Sequence, residues 1–283
     1  MSIRSRLSWL LLVPALLVVV VFFVVPILGI LLRSFTESDP GGGNTYADLL
    51  ADPTTTRVLI RTMVMALGAV VICLILGYPY AYLMTLVGPG WRTVLTVLVL
   101  VPFWTSLMAR TFAWISLLQR DGPVSALLGF VGFEDVTLLN TASGVMIGMV
   151  QILLPYMVLT LSTTLRSIDR GLLTAAQSLG ANRYRAFLEV YLPLSLPGVV
   201  AGSVLVFILG LGFYITPQLL GSPRESLIAQ VIGVRVEKLV DFAGAGALSM
   251  ILIVATIVLL GLLALAARPV QRILGGPTPQ EGR

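Results

Sequence analysis

Long apolar stretches alternate with short polar ones along this chain, and each is longer than a strand or helix in the core of a soluble domain requires. No Asp, Glu, Lys or Arg falls between Arg6 and Arg33, Arg61 and Arg92, Asp135 and Arg166, Glu189 and Arg224, or Asp241 and Arg268. Each gap exceeds the roughly 20 residues that cross the hydrocarbon layer as a helix. A sixth stretch runs from Arg92 to Arg110, where a straight helix would have risen about 26 Å. Backbone groups in lipid must be paired within their own segment, and no alternating ten-residue pattern suggests a barrel. The pattern therefore predicts an all-α integral membrane protein with six transmembrane helices, near 9–32, 62–87, 93–118, 142–165, 196–215 and 246–267.

The connecting segments carry breakers where helices should end. Gly41-Gly42-Gly43 interrupts the polar segment 33–61, and Gly88-Pro89-Gly90 makes a short turn between the second and third spans. Asp121-Gly122-Pro123 opens the segment 119–141, whose apolar piece 124–133 is too short to span; the segment 216–245 has a roughly helical pattern over 225–239. Pro14, Pro26, Pro79, Pro102, Pro155 and Pro197 lie in or beside the first five spans, either as hinges or simply as prolines that membrane helices tolerate. Arg4 and Arg6 precede the first apolar run, but that run is too long for a signal-peptide core, so it reads as an uncleaved helix. The chain divides into an N-terminal helix and first external loop (1–57), a five-helix core (58–267) and a tail (268–283). No internal repeat is visible.

Composition agrees with the pattern: 57% of the 283 residues are hydrophobic and 11% charged, with a mean hydropathy of +1.00. Charge then orients the spans. The N-terminus, the 87–93 turn, the 166–193 segment and the C-terminus carry ten Arg against three acids, Asp169, Glu189 and Glu281, whereas the other face carries seven Arg and Lys against ten acids. The positive-inside rule places both termini and the 166–193 segment in the cytoplasm. The arginines are dispersed over membrane-proximal loops, which argues against nucleic acid as a partner despite the basic balance. Cys73 is the single cysteine, so no intrachain disulfide forms.

The segment 166–193 is the most informative part of the chain. Leu172, Leu173, Ala176, Leu179, Phe187 and Leu188 form an apolar stripe beside Arg170, Gln177, Arg183, Arg185 and Glu189, consistent with two short helices hinged near Gly180. The small residues Ala175, Ala176, Gly180 and Ala181 would let another backbone come close, as a knob pressed into a soluble partner does. An amphipathic helix lying on the lipid headgroups fits the same residues.

Ala175-Ala176, Gly180-Ala181, Phe187, Leu192-Pro193 and Pro197-Gly198 stand at the spacing of the coupling loop in ATP-binding-cassette importer permeases, and the segment resembles that loop. Thr174 departs from the pattern, standing where the family has the Glu of Glu-Ala-Ala. Leu76-Gly77-Tyr78-Pro79-Tyr80-Ala81, Val101-Pro102-Phe103-Trp104-Thr105 and Ile152-Leu153-Leu154-Pro155-Tyr156-Met157 resemble segments of the spermidine/putrescine branch, over about residues 58–265. The resemblance implies the type I importer permease (MetI-like) fold in a bacterial inner membrane. It implies a cytoplasmic ATP-binding subunit as a dimer, a second homologous permease and a periplasmic solute-binding protein as partners, with membrane lipid around the spans. Ala175, Ala176, Leu179, Gly180, Ala181, Arg183, Arg185 and Phe187 are the expected ATPase-coupling residues. Related branches carry ferric iron, opines and other small solutes.

No acidic side chain lies within the expected spans, so a cationic solute would meet aromatic faces and backbone carbonyls, cation–π contact contributing about 0.5–2 kcal/mol per ring. Candidates for the path are Tyr78, Tyr80, Phe103, Trp104, Tyr156, Phe213 and Tyr214, residues that could equally fill helix contacts or mark the interfaces. Arg110 is the one charge inside a span, and on a straight helix it sits near the outer interface, where it can snorkel. A chain without His, without clustered carboxylates in its spans and without a glycine-rich phosphate loop ending in Lys-Ser/Thr has little means of general acid–base, metal or nucleotide chemistry. The expected chain is a permease subunit and not an enzyme: it binds no cofactor, and ATP and Mg are used by the partner subunit. An autonomous secondary transporter would call for a titratable or ion-binding residue in mid-membrane, and only Arg110 approaches that.

Overall fold

Because a lipid-facing backbone must satisfy itself, nearly every described residue lies in a helix, and there is no strand among them. The computed structural model describes residues 13–14, 16–36, 45–130, 132 and 137–274, with backbone alone at Thr45 and 264–274. The triple glycine 41–43, Arg4, Arg6, the start of the first expected helix, Asp135 and the tail beyond Leu274 lie outside the described residues.

The helices are α1 (Leu16–Thr36), α2 (Thr45–Ala51), α3 (Pro53–Leu86), α4 (Pro89–Trp104), α5 (Leu107–Leu118) and α6 (Pro123–Phe130). They continue as α7 (Ala142–Ser167), α8 (Gly171–Ser178), α9 (Arg183–Leu211), α10 (Ile215–Leu220), α11 (Ile228–Glu237) and α12 (Phe242–Leu274). Five are long and apolar enough to cross a membrane, and a sixth crossing results if the bent pair α4 and α5–α6 is one span.

Two sequence expectations are corrected here. The third span is not one straight helix: it breaks at Thr105-Ser106 with a 94° bend. Pro102 lies just before the break, and Thr105 closes the turn by donating both its N–H (3.4 Å) and its Oγ1 (2.9 Å) to the Pro102 carbonyl. The straight-helix rise that put Arg110 at the outer interface therefore does not apply. The fifth span does not run from 196 to 215. It begins at Arg183, so the second half of the expected helix pair is the start of a crossing helix, with a π-helical turn over Phe187–Tyr191. It ends at Leu211, after which Gly212, Phe213 and Tyr214 are non-helical before α10.

The chain forms two compact units: Met1–Leu59 with Gln230–Thr256, and Ile60–Ala229 with Ile257–Arg283. In the first, Tyr46 stacks on Phe35 at 5.1 Å and its hydroxyl meets Ser34 Oγ at 2.7 Å. Asp52 starts α3 by accepting the Thr54 N–H at 2.9 Å, and that bond, above all, holds its carboxyl below the usual 3.8. Asp241 starts α12 by accepting the Gly244 N–H at 2.7 Å while pairing with Arg235 at 2.6 Å.

The second unit is built on α7 and α9. Leu153, Met157, Val158, Leu161 and Leu165 of α7 are buried together with Val206, Phe207 and Leu211 of α9. Membrane helices gain little from hydrophobic exclusion and associate by close packing, for which small residues at the contact are needed. Gly198 supplies that here: a Cβ at its position would stand 2.6 Å from Thr164 Cβ. The C-terminus of α3 leaves carbonyls without helical donors. Arg92 donates to those of Met84 (3.1 Å) and Val87 (3.3 Å), and Arg170 to that of Thr85. Two cations thus sit at the negative end of the helix dipole.

Candidate functional site

The polar island folds as a helix, a left-handed turn and a second helix. Asp169 accepts the Gly171 N–H at 2.8 Å at the start of α8. At its end the Ala181 N–H reaches the Ala176 carbonyl (3.1 Å) and the Gly180 N–H that of Gln177 (3.0 Å), the paired bonds of a Schellman cap. Gly180 takes φ +95°, in the region that side-chain-bearing residues avoid. Asn182 then caps α9, its Oδ1 accepting the Arg185 N–H at 2.8 Å.

This geometry divides the expected coupling residues into an outer and an inner set. Leu179 is 90% exposed at the tip, with Tyr184 (72%) and Leu172 (45%) beside it. Ala175, Gly180, Arg183 and Arg185 are exposed; Ala176 and Ala181 are half-buried. The Arg185–Glu189 pair at 3.6 Å is well exposed and contributes little. Thr174 Oγ1 donates only to the Arg170 carbonyl, at 3.4 Å.

Phe187 faces inward and joins the island to the membrane core. Its ring stands edge-on to Tyr78 (6.5 Å) and Tyr82 (5.4 Å) and stacks on Tyr191 (5.6 Å), while Tyr82 meets Tyr191 at 5.2 Å. Pairs of this kind contribute about 0.5–1.5 kcal/mol beyond the area they bury. Tyr78 shares a hydrogen bond with Ser195 (2.9 Å), and Tyr191 donates to the Leu165 carbonyl (3.4 Å). One aromatic knot therefore ties α9 to α3 and α7 directly behind the exposed tip. Tyr82, Tyr191 and Ser195 were not singled out by sequence reasoning as parts of such a knot. The available signal was the i, i+4 spacing of Tyr78 with Tyr82 and of Phe187 with Tyr191.

The seven candidate path aromatics fall in four places. Tyr78 belongs to the knot, and Tyr80 donates to the Leu95 carbonyl of α4 at 2.8 Å. Trp104 is 72% exposed. The other four converge: Tyr156, Phe213 and Tyr214 line a cavity of about 290 Å³, and Phe103 sits edge-on to Tyr156 at 5.1 Å. Thr216, a residue sequence reasoning passed over, lines the same cavity.

A family model for the binding-protein-dependent transport system inner membrane component matches residues 77–271. The spermidine/putrescine transport system permease protein PotB of Haemophilus influenzae is 36% identical over 223 residues, covering 75% of this chain and 77% of that protein. PotB of Escherichia coli is 35% identical over 233 residues, covering 82% and 83%. Among solved structures, a chain of a bacterial alginate ABC transporter, in complex with alginate pentasaccharide-bound periplasmic protein, is similar in fold. The TM-score is 0.75 at 19% identity, over 94% of this chain and 96% of that one.

Proposed function

The chain belongs to the family of binding-protein-dependent transport-system inner-membrane components, and from that premise we propose that it is the permease through which an ATP-driven importer carries spermidine or putrescine into the cell. The observation that carries the solute is the identity of 35–36% with polyamine permeases over three quarters or more of the chain. The chemistry agrees. The membrane interior offers a polyamine no carboxylate partner, only aromatic faces, hydroxyls and carbonyls, and three of the seven candidate aromatics line one cavity, with Phe103 against one of them.

The energy comes from a separate ATP-binding subunit, a dimer that uses ATP and Mg, because this chain has no phosphate-binding loop of its own. The island is its docking element: the tip at Leu179 enters a groove on the motor, and the knot behind Phe187 passes the motor's closure to α3, α7 and α9. Thr174 cannot form the salt bridge of the usual Glu, so apolar contact carries the docking. The arginine bias puts the island and both termini in the cytoplasm. A solute-binding protein delivers the polyamine to the opposite face, and a second homologous permease completes the bundle.

A cysteine at Leu179 tests the docking. Cys73 is fully buried and does not compete for reagents. In the assembled importer, Leu179→Cys is expected to react with reagents from the cytoplasmic side and to cross-link to the ATP-binding subunit, more efficiently with a trapped nucleotide. Labelling from the periplasmic side alone, or no cross-link in an active complex, would refute this role.

A further inference from the structure

Among the described residues only two buried side-chain atoms lack a hydrogen-bond partner, Arg110 Nε and Thr216 Oγ1. Thr216 is 1% exposed, and it lines the 290 Å³ cavity that also holds Tyr156, Phe213 and Tyr214. A buried hydroxyl left without a partner is costly, and its persistence needs an explanation. A visiting ligand that supplies the missing partner is one, and the surroundings specify its chemistry.

The cavity wall has no carboxylate and no cation. Three aromatic rings offer it their faces or edges, and ring faces attract cations. The chain is unwound at Gly212-Phe213-Tyr214, between the C-terminus of α9 and α10. The last carbonyls of α9, at the negative end of its dipole, lie beside this break, that of Gly210 being capped by Gly212 and Phe213. Leu107, Ile152 and Leu209 make the rest of the wall apolar. Rings, carbonyls and an accepting hydroxyl beside aliphatic walls fit an ammonium group attached to a methylene chain. They do not fit an anion.

We propose that this cavity is a transit site for one alkylammonium end of the solute, with Thr216 Oγ1 accepting from the ammonium and Tyr156, Phe213 and Tyr214 enclosing it. The proposal rests on the polyamine reading above and adds to it the place and the groups that hold the cation. It also explains the absence of a carboxylate. Conduction needs binding strong enough to admit the solute and weak enough to release it. Uncharged groups meet both conditions. Arg110 sharpens this balance: three residues from Leu107, it lies on the same side of α5 one turn away, and it has no ion-pair partner among the described residues. Its charge repels a cation and keeps the site from becoming a trap.

The test uses the complete importer in vesicles, with saturating binding protein and labelled spermidine, and records uptake and ATP hydrolysis together. Thr216→Val removes the hydroxyl and keeps the shape; it is expected to lower spermidine carried per ATP about tenfold, the size of one hydrogen bond to a charged group. Thr216→Ser should restore near-normal uptake, and Tyr214→Leu should lower it as Thr216→Val does. Unchanged uptake per ATP in both Thr216→Val and Tyr214→Leu would overturn the site while leaving the polyamine reading intact. Wild-type importer that hydrolyses ATP in response to its binding protein yet carries no polyamine would overturn the polyamine reading, and this site with it.

Discussion

Gly180→Val is expected to cut solute uptake about tenfold or more while the protein still inserts and folds in the membrane. The backbone at Gly180 has φ +95°. A β-branched residue there incurs strain on the order of 1–3 kcal/mol, and each 1.4 kcal/mol is a factor of ten in an equilibrium. The chain escapes the strain by abandoning the Schellman cap, which unhooks the Gly180 and Ala181 N–H groups from the Gln177 and Ala176 carbonyls and re-aims Leu179. No atom lies within 4 Å of a Cβ built at this position, so crowding plays no part and the effect is conformational. Gly180→Asn, whose side chain tolerates positive φ, should therefore lose less than Gly180→Val. Uptake measured beside ATP hydrolysis checks this: the valine variant should resemble a chain that the motor no longer grips. Equal activity in all three proteins would mean that the turn does not set the docking geometry.

Gly198→Val is expected to destabilise the packing of α7 on α9, through a different cause. A Cβ at Gly198 stands 2.6 Å from Thr164 Cβ and 2.7 Å from its Oγ1. A Cβ is fixed by its own backbone, so no rotation relieves the first contact and α7 must move away from α9. Overpacking of this kind costs about 1–3 kcal/mol, or roughly 2–6 °C in the melting temperature of a chain this size. Thr164→Ala keeps the offending Cβ and should rescue little. Gly202→Ala is the control on the same helix: its nearest neighbour, Met157 Sδ at 2.8 Å, ends a flexible side chain that can swing aside. Thermal unfolding in detergent should thus rank wild type, then Gly202→Ala, then Gly198→Val.

The crossing helices were largely legible from the spacing of charges, because a desolvated charge is costly enough to mark where each span can end. What was not legible depended on local geometry. Pro79, Pro155 and Pro197 sit inside helices that continue, whereas the helix holding Pro102 stops two residues later, at Trp104, and bends at Thr105-Ser106. One residue type gives both outcomes, so a proline in a span does not by itself mark a break. The start of α9 was hidden because the charges of Arg183, Arg185 and Glu189 set the second short helix of the island apart from the fifth span; all three are exposed on one helix that continues from the island into the membrane. The local turn of the polar island was legible, because Gly180 carries a local signal for it, whereas the cap at Asn182 was not singled out. The candidate site was not legible within the spans. Which face of a helix an aromatic occupies depends on rotation against its neighbours, so nothing in the sequence separated Tyr156 at the cavity from Tyr78 in the knot. Thr216 carried no signal, because one threonine among apolar residues is ordinary until its hydroxyl is found without a partner.

Uptake of labelled spermidine into vesicles holding this chain, its second permease and its ATP-binding subunit, with binding protein outside and ATP inside, tests the central claim most directly. Accumulation against a gradient that requires both ATP and binding protein is the predicted result. Spermidine entry that needs neither, or vesicles that hydrolyse ATP in response to the binding protein and carry no polyamine, would contradict it.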